Sequence, residues 1–142
     1  MGVLENSVDI ARPVPEVFDY CSDLCNELEW TPGSMTAVER LTEGPIGVGT
    51  RYRATWKQGG THEVAYTQFE RPTSWVAAAD SPSLSLIFRA RVDPTDSGSR
   101  LIVQMDLRPQ GLTRLASPIL HRVMQRQELL NLAALKRTLE SR

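Results

Sequence analysis

The stretch RYRATWKQGGTHEVAYTQF, residues 51–69, decides the fold. Its first half alternates strictly: Tyr52, Ala54 and Trp56 fall on one side, and Arg51, Arg53, Thr55 and Lys57 on the other. A period of two marks a half-buried strand. The charged side must face water, because unpaired charges are too costly to bury. Gly59-Gly60 then supplies a turn with free access to positive φ. His62 to Phe69 returns as the partner strand, with His62, Val64 and Tyr66 in one phase. The result is an antiparallel hairpin with one apolar face, which needs a second layer to cover it.

The same period continues downstream. Trp75 to Ala79 reads as a short strand after the Arg71-Pro72-Thr73 turn. Leu84, Leu86, Phe88, Ala90 and Val92 then share one face of a long strand, with Arg89 and Arg91 on the other. DPTDSGS (93–99) reads as the next turn, and Leu101, Val103, Met105 and Leu107 form the last alternating set. Upstream, Leu4 to Ile10 and Met35 to Leu41 read as strands, and GPIGVG (44–49) as a glycine-rich loop. Short turns favour antiparallel neighbours. VPEVFDYCSDLCNELEW (14–30) has helical spacing broken into two short pieces, with Asp23 a candidate second N-cap and Thr31-Pro32-Gly33 the terminator.

From Leu112 the period becomes helical. Leu115, Ile119, Leu120, Val123, Met124, Leu130, Ala134 and Leu135 mark an apolar stripe that Gln127 interrupts. A main helix of roughly 22 residues would be about 33 Å long. Its receptor is the apolar face of the sheet. The expectation is therefore an α+β chain, one domain over 1–142, with a curved antiparallel sheet of six or seven strands around a long C-terminal helix.

Composition sets outer limits. With 142 residues, 41% of them hydrophobic, the chain can build a core without a disulfide or metal. Sixteen basic against 17 acidic residues give a net charge of -1, which offers no overall attraction to nucleic acid or anionic lipid. Arg108, Arg114, Arg122, Arg126, Lys136, Arg137 and Arg142 cluster late in the chain and read as a solvated helix face. MGVLENSVDIARP carries no basic leader or apolar run, and no stretch nears eighteen apolar residues, so a cytoplasmic protein without a membrane span is expected. Cys21 and Cys25 are spaced as CxxxC, read as free thiols rather than a redox pair or half of a zinc set. No cofactor or metal is expected.

The order of elements, with VDIARPVPEVFDYCSD (8–23), ELEWTPG (27–33), GPIGVGTRYR (44–53), FERPTSW (69–75), DSGSRL (96–101) and AALKRTLE (133–140), resembles the START-like or SRPBCC superfamily and, within it, the polyketide cyclase/dehydrase-like group. The resemblance covers nearly the whole chain. It implies a helix-grip fold, with the sheet wrapped around the last helix and an apolar cavity between them. Members bind lipids, sterols, polyketides or other apolar molecules, and some are aromatases or cyclases. The group has no shared catalytic motif, so no catalytic residue carries over.

The inward sheet face is where a ligand site belongs. Alternation offers Tyr52, Trp56, His62, Tyr66, Phe88 and Met105 from the strands. Val123, Met124 and Gln127 join from the helix, and Trp30 and Trp75 are placed to close the ends. A one-residue slip or bulge would exchange the faces. His62 and Tyr66 are the candidates for moving a proton, although His62 sits near a hairpin tip. Glu27 and Glu29, two apart, cannot share a helix face as a carboxylate pair. The loop at 44–49 and the segment at 30–34 are candidate entrance walls. HExxH, Walker, GxSxG and Rossmann patterns are all missing.

Three readings stand. The first is a carrier or sensor of a small apolar molecule, lipid or polyketide-like. The second is a cyclase, aromatase or dehydratase whose pocket orients a flexible chain. The third is a domain that works through protein contacts, with a filled interior and an exposed apolar patch. A homodimer is open, since nothing in the sequence specifies its surface.

Overall fold

The computed structural model describes residues 2–31, 33–57, 59–82, 84–111, 115 and 117–142. Pro32, the start of the helical period at Leu112, and Arg114 lie outside these residues.

Seven strands form one antiparallel sheet: β1 (Gly2–Ile10), β2 (Met35–Arg40), β3 (Arg51–Trp56), β4 (Gly60–Glu70), β5 (Ser74–Asp80), β6 (Leu84–Thr95) and β7 (Gly98–Pro109). Their order is β1-β7-β6-β5-β4-β3-β2. From β2 to β7 each strand pairs with the next, as short connections favour, and β1 closes onto β7. Two short helices, α1 (Val14–Cys21) and α2 (Glu27–Trp30), flank a 3-10 turn at Leu24–Asn26. A long helix, α3 (Ser117–Glu140), ends the chain.

Local chemistry explains the short helices. Pro13 precedes α1 and Pro15 stands in its first turn, where a missing N–H costs nothing. Val17, Phe18, Tyr20 and Cys21 then bury one face. Asp23 caps the 3-10 turn by accepting from the Cys25 amide at 3.1 Å. The edge of the Phe18 ring meets Phe69 at 5.3 Å and Trp75 at 5.2 Å between centroids, so α1 is packed onto β4 and β5.

The hairpin alternation places Tyr52 and Ala54 in the core, both without exposure. Gly59 and Gly60 take φ of 103° and 79°, as the turn demands. A bulge between Tyr66 and Gln68 shifts the register of β4 against β5. It lets both Tyr66 and Phe69 face the core, where their rings stack at 6.3 Å.

The turn expected at 93–99 is tighter than its composition suggested. β6 runs on to Thr95 and β7 starts at Gly98, leaving Asp96 and Ser97 at the apex. Gly98 has φ of 154° and lies under the link between β1 and α1. A Cβ there would stand 2.4 Å from the Ile10 carbonyl oxygen and 2.7 Å from the Arg12 nitrogen, so only glycine fits.

The expected stripe on α3 needs correction. Leu115, Ile119 and Leu130 are exposed, while Leu132, Leu135 and Leu139 are buried together with Glu128. The C-terminal half of α3 is clamped to β1. Lys136 donates to the Asp9 carbonyl at 2.7 Å, Glu140 accepts from the Ala11 amide at 2.8 Å, and Arg12 donates to the Glu140 carbonyl at 3.0 Å. Further along, Asn6 and Gln125 exchange amide hydrogen bonds at 3.0 and 2.8 Å. The N-terminal half contributes Leu120, Val123 and Met124 to a cavity wall instead. Apolar residues there need no close partner on the sheet.

Candidate functional site

A cavity of about 470 Å³ lies between the concave sheet face, α2 and α3. That is within the usual size range for small-molecule sites. Its wall takes Trp56 from β3, His62 and Tyr66 from β4, Trp75 and Ala77 from β5, Leu84, Leu86 and Phe88 from β6, and Met105 from β7. Trp30 enters from α2, and Val123, Met124 and Gln127 enter from α3. All three tryptophans of the chain are therefore on the wall.

Tyr52 is the one candidate from the sequence that the structure places elsewhere. It is fully buried behind the wall, its ring 5.4 Å from that of Tyr66 and its hydroxyl donating to Asp23 at 3.3 Å. The entrance expectation also divides. Trp30, Thr31, Gly33 and Ser34 line the cavity, whereas no residue of 44–49 does. That loop backs the sheet instead, with the Gly49 amide donating to the Tyr66 carbonyl at 2.9 Å.

The two proton-transfer candidates are already engaged. The Tyr66 hydroxyl donates to the Ser22 carbonyl at 2.6 Å. Burial holds its proton far more tightly than in water, with the neighbouring Tyr52 adding to the effect. His62 lies against the Trp56 ring at 6.0 Å between centroids, and its Nε2 meets the Gly59 carbonyl at 2.5 Å. The one phenol beside Tyr66 is that of Tyr52, itself buried and donating to Asp23. Cys21 is buried and on the wall, and desolvation pushes its thiol pKa up. Cys25 is raised for the same first reason, with Asp23 adding to it. Neither is an activated nucleophile.

Several polar residues on the wall escaped the sequence reading, among them Asp80, Asn131 and two glutamates. Glu27, on α2, and Glu128, on α3, are carboxyls that line the cavity, Glu128 buried and Glu27 half-buried. Burial first, and the charge of Glu128 second, raise the Glu27 pKa to about 8. Burial alone raises Glu128 to about 7. No described residue donates a hydrogen bond or ion pair to either side chain. Helical phase was the available signal for Glu128: residues 128, 132, 135 and 139 share one face, and three of them are core leucines. Glu27 and Glu29 do point apart, as their spacing requires. Glu29 is exposed, accepting from Tyr20 and from Arg142.

Among the described residues no group of three or more His, Cys, Asp or Glu side chains is placed to hold a metal. Among them, too, no helix is long and apolar enough to cross a membrane.

A curved seven-stranded antiparallel sheet, gripping a C-terminal helix with a cavity between them, is the helix-grip architecture. The profile of the family described as polyketide cyclase / dehydrase and lipid transport matches residues 1–140, and the chain belongs to that family. Among solved structures it is similar to the Zhui aromatase/cyclase from Streptomyces sp. R1128, with a TM-score of 0.81 and 18% identity over 98% of this chain and 93% of that one. It is similar to Ara h 8.0201, with a TM-score of 0.71 and 18% identity over 99% of each chain. It is also similar to norcoclaurine synthase from Thalictrum flavum, solved with dopamine and hydroxybenzaldehyde, with a TM-score of 0.70 and 15% identity over 96% of this chain and 85% of that one. At these identities the likeness speaks for the fold. Comparison with curated proteins finds no significant match.

Proposed function

We propose that this protein binds a small, mainly apolar molecule, lipid or polyketide-like, in the cavity between sheet and helix, as a carrier or sensor. The observation that carries this reading is the wall itself. Trp30, Trp56, Trp75 and Phe88 supply large apolar faces, and Met105 and Met124 supply adaptable ones. Trp30, Trp56, Tyr66, Trp75, Phe88, Met105, Val123, Met124 and Gln127 are the proposed contacts. Membership of a family described by polyketide cyclisation and lipid transport supports the ligand class.

The cyclase or aromatase reading draws on neighbours such as Zhui and the di-domain ARO/CYC BexL. It asks for groups free to move a proton. Tyr66 is committed to Ser22 and His62 to Gly59, which favours binding over catalysis by those two residues. Native mass spectrometry of the purified protein, followed by denaturing extraction, tests the proposal. One apolar molecule per chain, either co-purified or taken up from added decanol, is the expected result. A protein that carries nothing and takes up nothing contradicts it.

A further inference from the structure

We infer that the cavity selects an apolar amine, whose ammonium head sits between Glu27 and Glu128 while its apolar body lies along the aromatic wall. This rests on the proposed ligand-binding role of the cavity and adds the chemistry of the head group.

The argument begins with what the wall holds and what it lacks. Glu27 and Glu128 both line the cavity, from two different helices that pack together. Glu128 is only 9% exposed. Neither carboxyl receives a hydrogen bond or ion pair from any described residue. The described wall contains no lysine and no arginine. Trp30, one turn along α2 from Glu27, adds a ring N–H that is buried without an acceptor. This end of the cavity thus holds two carboxyls that open onto the cavity without a described donor, and an indole N–H without an acceptor. Buried polar groups in folded proteins normally have partners. The exceptions ask for a partner from outside the chain.

Chemistry narrows that partner. A buried, unpaired carboxylate is costly, so without a partner these groups hold their protons to higher pH than free carboxylic acids do. A cation supplies what both lack, and it does so without competition from a resident basic group. An alkyl or aryl ammonium brings donors to two carboxylates, and the neighbouring indole of Trp30 offers it an aromatic surface. A carboxylate or phosphate head would instead meet two acids of its own sign.

The other titratable groups on the wall have surroundings of their own. Cys21 on α1 and Tyr66 on β4 have pKa values raised by burial and stay neutral. Asp80, at the end of β5, is engaged by Ser85 and by Gln110 at 3.3 Å. His62 on β4 meets the Gly59 carbonyl. An alkylammonium keeps its charge to about pH 10, so the part of the pH dependence that the Glu27→Gln, Glu128→Gln double variant removes reports the release of protons from these two carboxyls.

The test compares decylamine, decanol and decanoate, titrated into the full chain and read by tryptophan emission. Near pH 8.5, decylamine should bind about tenfold or more tightly than decanol, and decanoate most weakly. Near pH 5.5 the amine preference should shrink, by about tenfold per pH unit for each proton released on binding. In Glu27→Gln and Glu128→Gln proteins, whose folding is checked by circular dichroism, the ratio of amine to alcohol affinity should fall toward one. Equal affinity for amine and alcohol near pH 8.5 overturns the inference, and so does a preference that survives in the double variant. If decanol also fails to bind, the cavity-binding proposal fails instead, and the two failures are distinguishable.

Discussion

The hydroxyl of Tyr66, in the middle of β4, donates to the carbonyl of Ser22 at the end of α1, at 2.6 Å and out of contact with solvent. It fixes the helical segment to the cavity floor. Tyr66→Phe removes this hydroxyl and leaves the carbonyl without that donor. We expect a loss of about 1–3 kcal/mol in urea unfolding, with apolar ligand uptake retained. A stability matching the unaltered protein would mean that water replaces the bond without cost.

Stability should fall as the solution becomes basic. Glu27 and Glu128 hold their protons more tightly folded than unfolded, with pKa values raised from 4.5 to about 8 and about 7. Their contribution is complete below about pH 4.5 and is lost as pH rises through 7 and 8. Asp9, Asp19 and Glu140 shift the other way, held low first by hydrogen bonds from Arg100, Arg71 and Lys136. Asp9 and Asp19 are exposed and Glu140 is half-buried, and all three act below about pH 4.5, so the two windows do not overlap. Thermal melts from pH 5 to pH 9 should decline, and the Glu27→Gln, Glu128→Gln double variant should flatten the decline. A rising curve would contradict the placement of these carboxyls.

Much of this architecture was legible from alternation. Tyr52, Ala54 and the β7 set Leu101, Val103, Met105 and Leu107 fell inward as their period required. The bulge at Tyr66 and Gln68 was not legible, because it depends on how β4 pairs with β5 and on where Phe69 finds space against Phe18. The stripe on α3 misled for a related reason. Periodicity finds apolar residues but does not say which half of a helix touches the sheet and which half spans a cavity. Ile119 and Leu130 could therefore be apolar and exposed, while Glu128 is polar and buried. The site was readable one residue at a time, but the approach of Glu27 to Glu128 was not, since only the packing of α2 against α3 creates it.

The grip of α3 rests on a few leucines. Leu135 is fully buried in the main core, beside Leu132 and Leu139. Leu135→Ala should cost about 2–5 kcal/mol by chemical denaturation. Leu130→Ala, on the exposed side, should change stability by no more than about 0.5 kcal/mol. A reversal of that order would place the wrong face of α3 against the sheet.

Filling the cavity should remove binding without unfolding the chain. Ala77 is buried on β5 and faces the cavity. A phenyl ring in Ala77→Phe enters space that no side chain occupies, so overpacking is avoided. Decanol affinity should fall about tenfold or more, with the melting temperature unchanged or raised. Unchanged affinity would locate the ligand elsewhere.

The most direct test uses the methionine methyl groups as reporters. Met105 and Met124 lie on the cavity wall, whereas Met35 is buried away from it. In carbon-13 methyl spectra, decanol added to one equivalent should shift Met105 and Met124 and leave Met35 in place. Signals that never move, or a Met35 shift as large as the other two, would contradict a ligand held between the sheet and α3.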